Sequence, residues 1–212
     1  MKIAILGSTG FVGKTLVKKA LQAGYSVKAL ARDPGRLEEF RDQIEMVIGD
    51  LSDSVVLSKL VAGTDAVLSA AGPANTPDQP ELFKRIMTNL VEAMNQEGVK
   101  RFIMISGGTL PLPDEKLDFQ RRLMTVIMKL MGKYVYEAKV QEFAVLSRSS
   151  LNWTSIRAPM IAKDPPSGKV AADDQKSLGM KIMVEDLAQF MLDQITEKRW
   201  VKKAPFVASV GK

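Results

Sequence analysis

The opening strand, turn and helix limit the fold of this chain more than any other feature. "KIAIL" (residues 2–6) is a short apolar run of strand type, and Gly7-Ser8-Thr9-Gly10-Phe11-Val12-Gly13 follows it without a spacer. Helical spacing of apolar residues begins at once and runs over 11–23, until Gly24 ends it. A strand that becomes a helix this abruptly needs a glycine at the tight turn. A second lets the backbone approach a bound group, and a third lets helix and strand pack closely. The N–H groups at the start of such a helix lack partners, so the turn favours an anion, and a pyrophosphate suits the space. The spacing is G-x-x-G-x-x-G, and the Gly-Lys-Ser/Thr ending of a nucleotide-hydrolase phosphate loop is absent.

The same alternation continues along the chain. "YSVKALA" (25–31) precedes a short helix near 34–41, and "IEMVIG" (44–49) leads into "SVVLSKLVAG" (54–63), which stops at Gly63. "DAVLSAAG" (65–72) is followed, after a proline-bearing loop, by the helix "PELFKRIMTNLVEAMNQEG" (80–98), and "VKRFIMIS" (99–106) is a fifth strand. Strands alternating with helices in this way predict parallel β-α units with right-handed crossovers. The result is an α/β fold whose open sheet is covered by helices on both faces. The second half is less regular. It reads as a long loop over 107–119, helices over 119–131 and 135–148 interrupted at Gly132, and a strand over "LNWTSIRAP" (151–159). A proline-, glycine- and charge-rich loop over 163–179, a helix over "VEDLAQFMLDQITE" (184–197) and an edge strand over "APFVASV" (204–210) complete it. No linker divides the chain, so 1–212 is predicted to be one domain, with a small substrate-side lobe from 107–135 and 160–182.

Composition removes whole classes of chemistry. The chain has no histidine and no cysteine, which excludes thiol chemistry, every Ser-His-Asp arrangement and the favoured zinc ligands; no metal is predicted. The net charge of +6 comes from 30 basic residues interleaved with 24 acidic ones, and the densest basic tract is "EKRWVKK", so no nucleic-acid partner is predicted. No stretch reaches the roughly eighteen apolar residues of a bilayer span, and the opening apolar run is too short and too broken by glycine for a secretory signal. A cytoplasmic protein with no membrane partner is the expectation. The methionine-rich "LMTVIMKLMGK" (123–133) reads as an amphipathic helix packed on the sheet or on a partner subunit. A pocket lining for a flat ligand is the other reading. A membrane-surface helix is disfavoured, since the segment is needed to cover the fold.

Six segments carry a family resemblance: "GSTGFVG" (7–13), "LARDPGRL" (30–37), "GDLSD" (49–53), "LSAAG" (68–72), "RFIMISGG" (101–108) and "LNWTSIRAP" (151–159). In this order they resemble the short-chain dehydrogenase/reductase superfamily. They are most similar to its atypical NAD(P)H-binding branch, which includes NmrA-like regulators and small flavin and biliverdin reductases. The resemblance implies a Rossmann-type, doubly wound parallel sheet and a nicotinamide dinucleotide held at the turn of Gly7, Ser8, Thr9, Gly10, Phe11 and Val12. In such sites an acid at the end of the second strand often takes the ribose hydroxyls of NAD. Here Ala31 stands at that position and Arg32 follows, a pairing that suits the 2′-phosphate of NADP, so NADPH is expected to be preferred over NADH. The alternative for Arg32 is a solvated loop charge; Arg36 assists or is solvated, and Asp33 is expected to cap the helix that begins at Pro34. By the same resemblance Asp50 and Leu51 flank the adenine, with loop capping as the competing role of Asp50. Ala70, Ala71 and Gly72 then line the way to the nicotinamide.

Ser106 matches the serine that holds the substrate carbonyl in typical members, or it simply satisfies a strand end. The superfamily's catalytic Tyr-x-x-x-Lys is incomplete. Counting back from "SLNWT" puts Lys139 at the lysine position and Val135 where tyrosine should be, with Tyr134 and Tyr136 on either side. One residue along a helix rotates a side chain by about 100°, so Tyr136 is a weak candidate proton donor, and packing is its other reading. Lys139 is still placed to hold ribose. The two functional readings are an NADPH-dependent reductase of a conjugated acceptor such as a flavin or quinone, and a non-catalytic dinucleotide sensor of the NmrA-like kind. Either is expected as a monomer or homodimer.

Overall fold

The computed structural model describes residues 1–110, 112, 115 and 119–211. Much of the loop predicted over 107–119 therefore lies outside the described residues. In chain order the strands are β1 (Lys2–Leu6), β2 (Ser26–Ala31), β3 (Ile44–Ile48), β4 (Ala66–Ser69), β5 (Arg101–Gly107) and β6 (Asn152–Ala158). The shorter β7 (Met160–Ala162), β8 (Val170–Asp173), β9 (Lys181–Met183) and β10 (Phe206–Ser209) follow. The helices are α1 (Phe11–Gln22), α2 (Ser54–Val61), α3 (Gln79–Gln96), α4 (Phe119–Met131), α5 (Lys133–Ser147) and α6 (Val184–Asp193). Pro34–Phe40 forms a 3-10 segment.

Eight strands make one sheet in the order β3-β2-β1-β4-β5-β6-β10-β8. All neighbours are parallel except β10 and β8, which run antiparallel from Phe206↔Asp173 to Ser209↔Val170. β1 is central, and its continuous apolar run is what a strand buried on both faces requires. Ile3 and Ile5 face Leu16 and Val17 of α1 and Leu187 and Met191 of α6. Ala4 and Leu6 face the opposite layer, with Leu57 and Leu60 of α2, Leu90 of α3 and Leu146 of α5. The strand period of two thus sorts one sequence into two cores. The chain winds outward from β1 to β3, then returns through α2 to β4 on β1's other side. That reversal opens a crevice at the carboxyl ends of β1 and β4.

Two expectations for the second half are corrected. The run at 204–210 supplies an interior strand, because β8 pairs along its outer side. The 163–179 segment is no mere loop, since it contains β8; its Val-Ala-Ala-Asp is too short and too small-sided to announce a strand. A separate two-stranded sheet joins β7 to β9. Arg157 of β6 fastens these additions. Fully buried, it donates to the Ala204 and Asp174 carbonyl oxygens at 2.7 and 2.8 Å, chelates the Glu115 carboxylate at 2.8 and 2.9 Å, and lies 3.6 Å from the centre of the Phe206 ring. Helix α4 lies against α5 and leaves most of its apolar side chains exposed, so that face does not cover the sheet. Among the described residues no helix is long and apolar enough to cross a membrane.

Candidate functional site

The three glycines of the first turn do different work. Gly7 sits at φ +70°, and a Cβ there would lie 2.6 Å from the Ala71 nitrogen. A Cβ on Gly13 would lie 2.0 Å from the Gly7 carbonyl oxygen. Both positions are closed to any side chain by the backbone itself. Gly10 caps α1 at φ −79°, and its Cβ would meet only the Gly7 oxygen, at 3.3 Å. The fold therefore leaves room for a Cβ there once the Gly7 oxygen gives by a few tenths of an ångström.

Two adjoining cavities run along the carboxyl ends of the strands and share Ala70, Ala71 and Gly72. The first, of about 400 Å³, is lined by Gly7, Thr9 and Gly10 of the turn, Arg32 after β2, Gly49, Asp50 and Leu51 after β3, and Gln79, Leu82, Phe83 and Ile86 of α3. Ala31 is buried at the end of β2, so no carboxylate stands there, while the Arg32 side chain is 80% exposed, its guanidinium 3.7 Å from Oδ2 of Asp50. Asp50 does loop work at the same time. Its Oδ1 accepts from the Ser52 hydroxyl at 2.7 Å and the Ser52 N–H at 2.8 Å, and these bonds, with Arg32 nearby, hold the carboxyl below its ordinary range. Asp33 caps the 3-10 segment by accepting from the Gly35 N–H at 3.0 Å, as predicted. Arg36 is exposed.

The turn's other side chains point away from this cavity. Ser8 is fully buried and donates to the Leu30 carbonyl at 2.6 Å, tying the turn to β2. Phe11 is 41% exposed under the Lys163 ammonium, and Val12 lines the second cavity.

That second cavity, of about 310 Å³, is bounded by Ser106 and Gly107 at the end of β5, Thr109 just beyond it, Met128 of α4, and Val135, Tyr136 and Lys139 of α5. Lys139 stands between the two cavities. Its Nζ donates to the carbonyls of Ala71 at 3.1 Å and Ile105 at 3.2 Å, and to Oε2 of Glu142 at 2.7 Å. The Glu142 side chain is 3% exposed; burial pushes its carboxyl up, and the Lys139 charge opposes that rise. Val135, four residues before Lys139, faces the cavity where the predicted pattern has tyrosine. Tyr136 also lines it, with burial pushing its phenol up. The Ser106 hydroxyl is occupied: it donates to the Ile156 carbonyl at 3.2 Å and accepts from Ser155 at 3.0 Å.

Sequence reasoning missed Thr109, the α3 residues and Glu142. Thr109 stands in what read as featureless loop. Gln79 and Phe83 belong to a helix whose apolar spacing serves the core as well. Glu142 carried one signal, the Lys-x-x-Glu pair on one helix face, which on most helices is solvated.

A parallel sheet with its crossover reversal, a glycine turn into the first helix and an elongated crevice across the strand ends define a dinucleotide-binding domain of the Rossmann type. A family model described as NAD(P)H-binding matches residues 7–198, and the chain belongs to that family. It is 29% identical over 183 residues to dihydroflavonol 4-reductase of Hordeum vulgare, covering 73% of this chain and 51% of the relative. It is 23% identical over 237 residues to divinyl chlorophyllide a 8-vinyl-reductase of Arabidopsis thaliana, covering 100% and 54%. The chain thus spans about half the length of these relatives. Among solved structures, an anaerobilin reductase from Escherichia coli superposes with a TM-score of 0.82 at 15% identity, covering 100% of this chain and 98% of that one. A short-chain dehydrogenase/reductase from Veillonella parvula in complex with NADP superposes with a TM-score of 0.81 at 18% identity, covering 99% and 95%.

Proposed function

We propose that the protein is an NADPH-dependent reductase that passes hydride to a flat conjugated acceptor such as a flavin or quinone. The observation that carries this reading is Val135. An apolar side chain faces the second cavity where alcohol chemistry requires a tyrosine hydroxyl, while Lys139 remains in place beside it. The residues fit a nicotinamide dinucleotide. Gly10 leaves open the volume that a Cβ would fill at the start of α1, and the unpaired N–H groups there suit a pyrophosphate. Arg32, exposed at the rim of the larger cavity and unopposed by an acid at Ala31, suits a 2′-phosphate. Leu51 and Ile86 offer apolar walls for an adenine. When bound, the cofactor supplies the hydride, leaving as NADP⁺.

The chain's own groups then bind and orient. Lys139 can exchange its carbonyl partners for ribose hydroxyls while Glu142 keeps the ammonium at the neck. Ser106, whose proton is committed to Ile156, contributes position and not a proton. Val12, Ile105 and Met128 give the acceptor an apolar seat. With no tyrosine at position 135, the proton that completes reduction comes from water at the open cavity, which suits acceptors whose reduced forms protonate readily in solvent.

A second reading, a dinucleotide sensor, is favoured by Asn75. Its side chain donates to the Met131 carbonyl at 3.3 Å and accepts from the Tyr134 N–H at 3.1 Å, so the loop after β4 is tied to the α4–α5 junction. Occupancy of the crevice could reach α4 by that route. NADPH oxidation followed optically against flavins, quinones and aldehydes separates the two. Turnover of a flavin or quinone supports the reductase; tight NADPH binding without turnover of any acceptor supports the sensor.

A further inference from the structure

Helix α4 presents to solvent the side that a packing helix would bury. Leu123, Met124, Val126, Leu130 and Met131 are 51, 39, 53, 80 and 76% exposed, whereas the polar Thr125 is 7% exposed. Leu123, Val126 and Leu130 follow one another at three- and four-residue steps, and Met124 and Met131 lie seven apart beside them, so the five form one face. The charge on this stretch has a single sign. Between Phe119 and Tyr136 the chain carries Arg121, Arg122, Lys129 and Lys133 and no acidic residue. Lys129 and Lys133 are exposed, their ammonium groups 5.1 and 5.5 Å from the ring centres of Tyr136 and Tyr134.

We propose that this face docks the protein onto an anionic lipid bilayer. The apolar stripe enters the boundary between headgroups and acyl chains, and Lys129 and Lys133 meet lipid phosphates. Charge selects this occupant over a second copy of the chain. Two copies joined by a two-fold axis through this face would set Lys129 and Lys133 against the same two lysines of the other copy, and α4 carries no acid to pair with them. An anionic bilayer satisfies the apolar stripe and the cations together. Met128 of the same helix lines the second cavity, so docking places that cavity beside the membrane boundary, where apolar conjugated molecules partition. The proposal stands apart from the reductase reading, since docking needs neither cofactor nor acceptor.

Co-sedimentation with vesicles tests it, using phosphatidylcholine alone and an equal mixture with phosphatidylglycerol. Binding is expected to the mixed vesicles, to be far weaker to phosphatidylcholine, and to fall as salt is added. Leu130→Glu/Met131→Glu should abolish it. Lys129→Gln/Lys133→Gln should weaken it roughly thirtyfold, from about 1 kcal/mol per basic side chain near such a surface. If the acidic pair lowers the melting temperature, Leu130→Gln/Met131→Gln replaces it. No binding at low ionic strength, or binding that survives the Leu130/Met131 changes, overturns the proposal. So does a concentration-dependent dimer in analytical ultracentrifugation that Leu130→Glu disperses, which would make a second copy the occupant.

Discussion

Replacing Lys139 by methionine should cost more stability at neutral pH than at acid pH. The Lys139 ammonium lies 2.7 Å from a carboxylate oxygen of Glu142, and their side chains are 13% and 3% exposed. Methionine keeps an unbranched stem of similar length and removes the charge, so the packing loss is small. What remains is a buried carboxylate without its counter-ion. Breaking a buried pair in this way costs about 3–5 kcal/mol, and the lower end applies here because the crevice reaches the Lys139 side. At about 2–4 °C per kcal/mol for a chain of this size, the melting temperature at neutral pH should fall by roughly 6–12 °C.

The pH dependence follows from the direction of the Glu142 shift. Burial raises this carboxyl and Lys139 opposes the rise, so removing the ammonium raises it further. A carboxyl whose folded pKa is raised stays protonated in the folded state where the unfolded chain has already lost the proton. The stability it contributes is full below the ordinary carboxylate range and is lost as pH rises through the raised folded value. The deficit of Lys139→Met should therefore shrink on going from pH 7.5 down to about pH 4.5, near the ordinary glutamate value. Thermal melts of the wild type, Lys139→Met, Glu142→Gln and the double variant at both pH values provide the measurement. The double variant should recover most of the loss at neutral pH, because the stranded charge is gone. An equal deficit at both pH values, or a double variant no more stable than Lys139→Met, would refute the account of the pair.

Three further outcomes concern the crevice. Arg32→Ala should weaken NADPH binding by about 10–100-fold, the scale of a charge-assisted hydrogen bond, and leave NADH binding nearly unchanged; calorimetry with both dinucleotides checks it, and an intact preference would mean Arg32 is only a solvated charge. Gly10→Val should stay folded, since φ −79° suits any residue and only the Gly7 oxygen at 3.3 Å needs to give, yet dinucleotide affinity should fall by at least 100-fold. A folded Gly10→Val with wild-type affinity would move the pyrophosphate elsewhere. Tyr136→Phe should change turnover less than twofold; a real proton donor typically contributes about 10²–10⁴, so a fall of that size with cofactor affinity intact would restore a tyrosine mechanism.

Much of this architecture is written locally in the chain. A run of apolar residues short enough for a strand, a glycine turn and a helical repeat each depend on neighbours within a few positions, so β1 through β5 and α1 through α3 fall close to where their spacing puts them. With right-handed crossovers, covering both faces of the sheet requires the strand order to reverse, and the reversal brings the crevice at Gly7, Ala70 and Ala71. The Asp33 cap was equally legible, because a cap reaches only two residues ahead.

What depends on distant partners was not legible. β8 is a strand only because β10 offers it an antiparallel edge, and β10 is interior for the same reason; Val-Ala-Ala-Asp has no strand preference strong enough to show this in isolation. The Ser8 and Ser106 hydroxyls look alike as candidates for ligand contacts, but main-chain oxygens 22 and 50 residues away claim their protons. The Lys-x-x-Glu of α5 is an ordinary surface pattern until α5 packs over the ends of β4 and β5, which buries Glu142 and turns Lys139 toward two carbonyls. The apolar repeat of α4 marks a helix with a face to cover, but a periodic pattern does not name what covers it. Sequence determined the local conformations and the order in which they wind, because those rest on short-range sterics and periodicity. Tertiary structure decided which polar groups are spent on the fold, which remain for chemistry, and which apolar face is left outside, because burial is a property of the assembled layers.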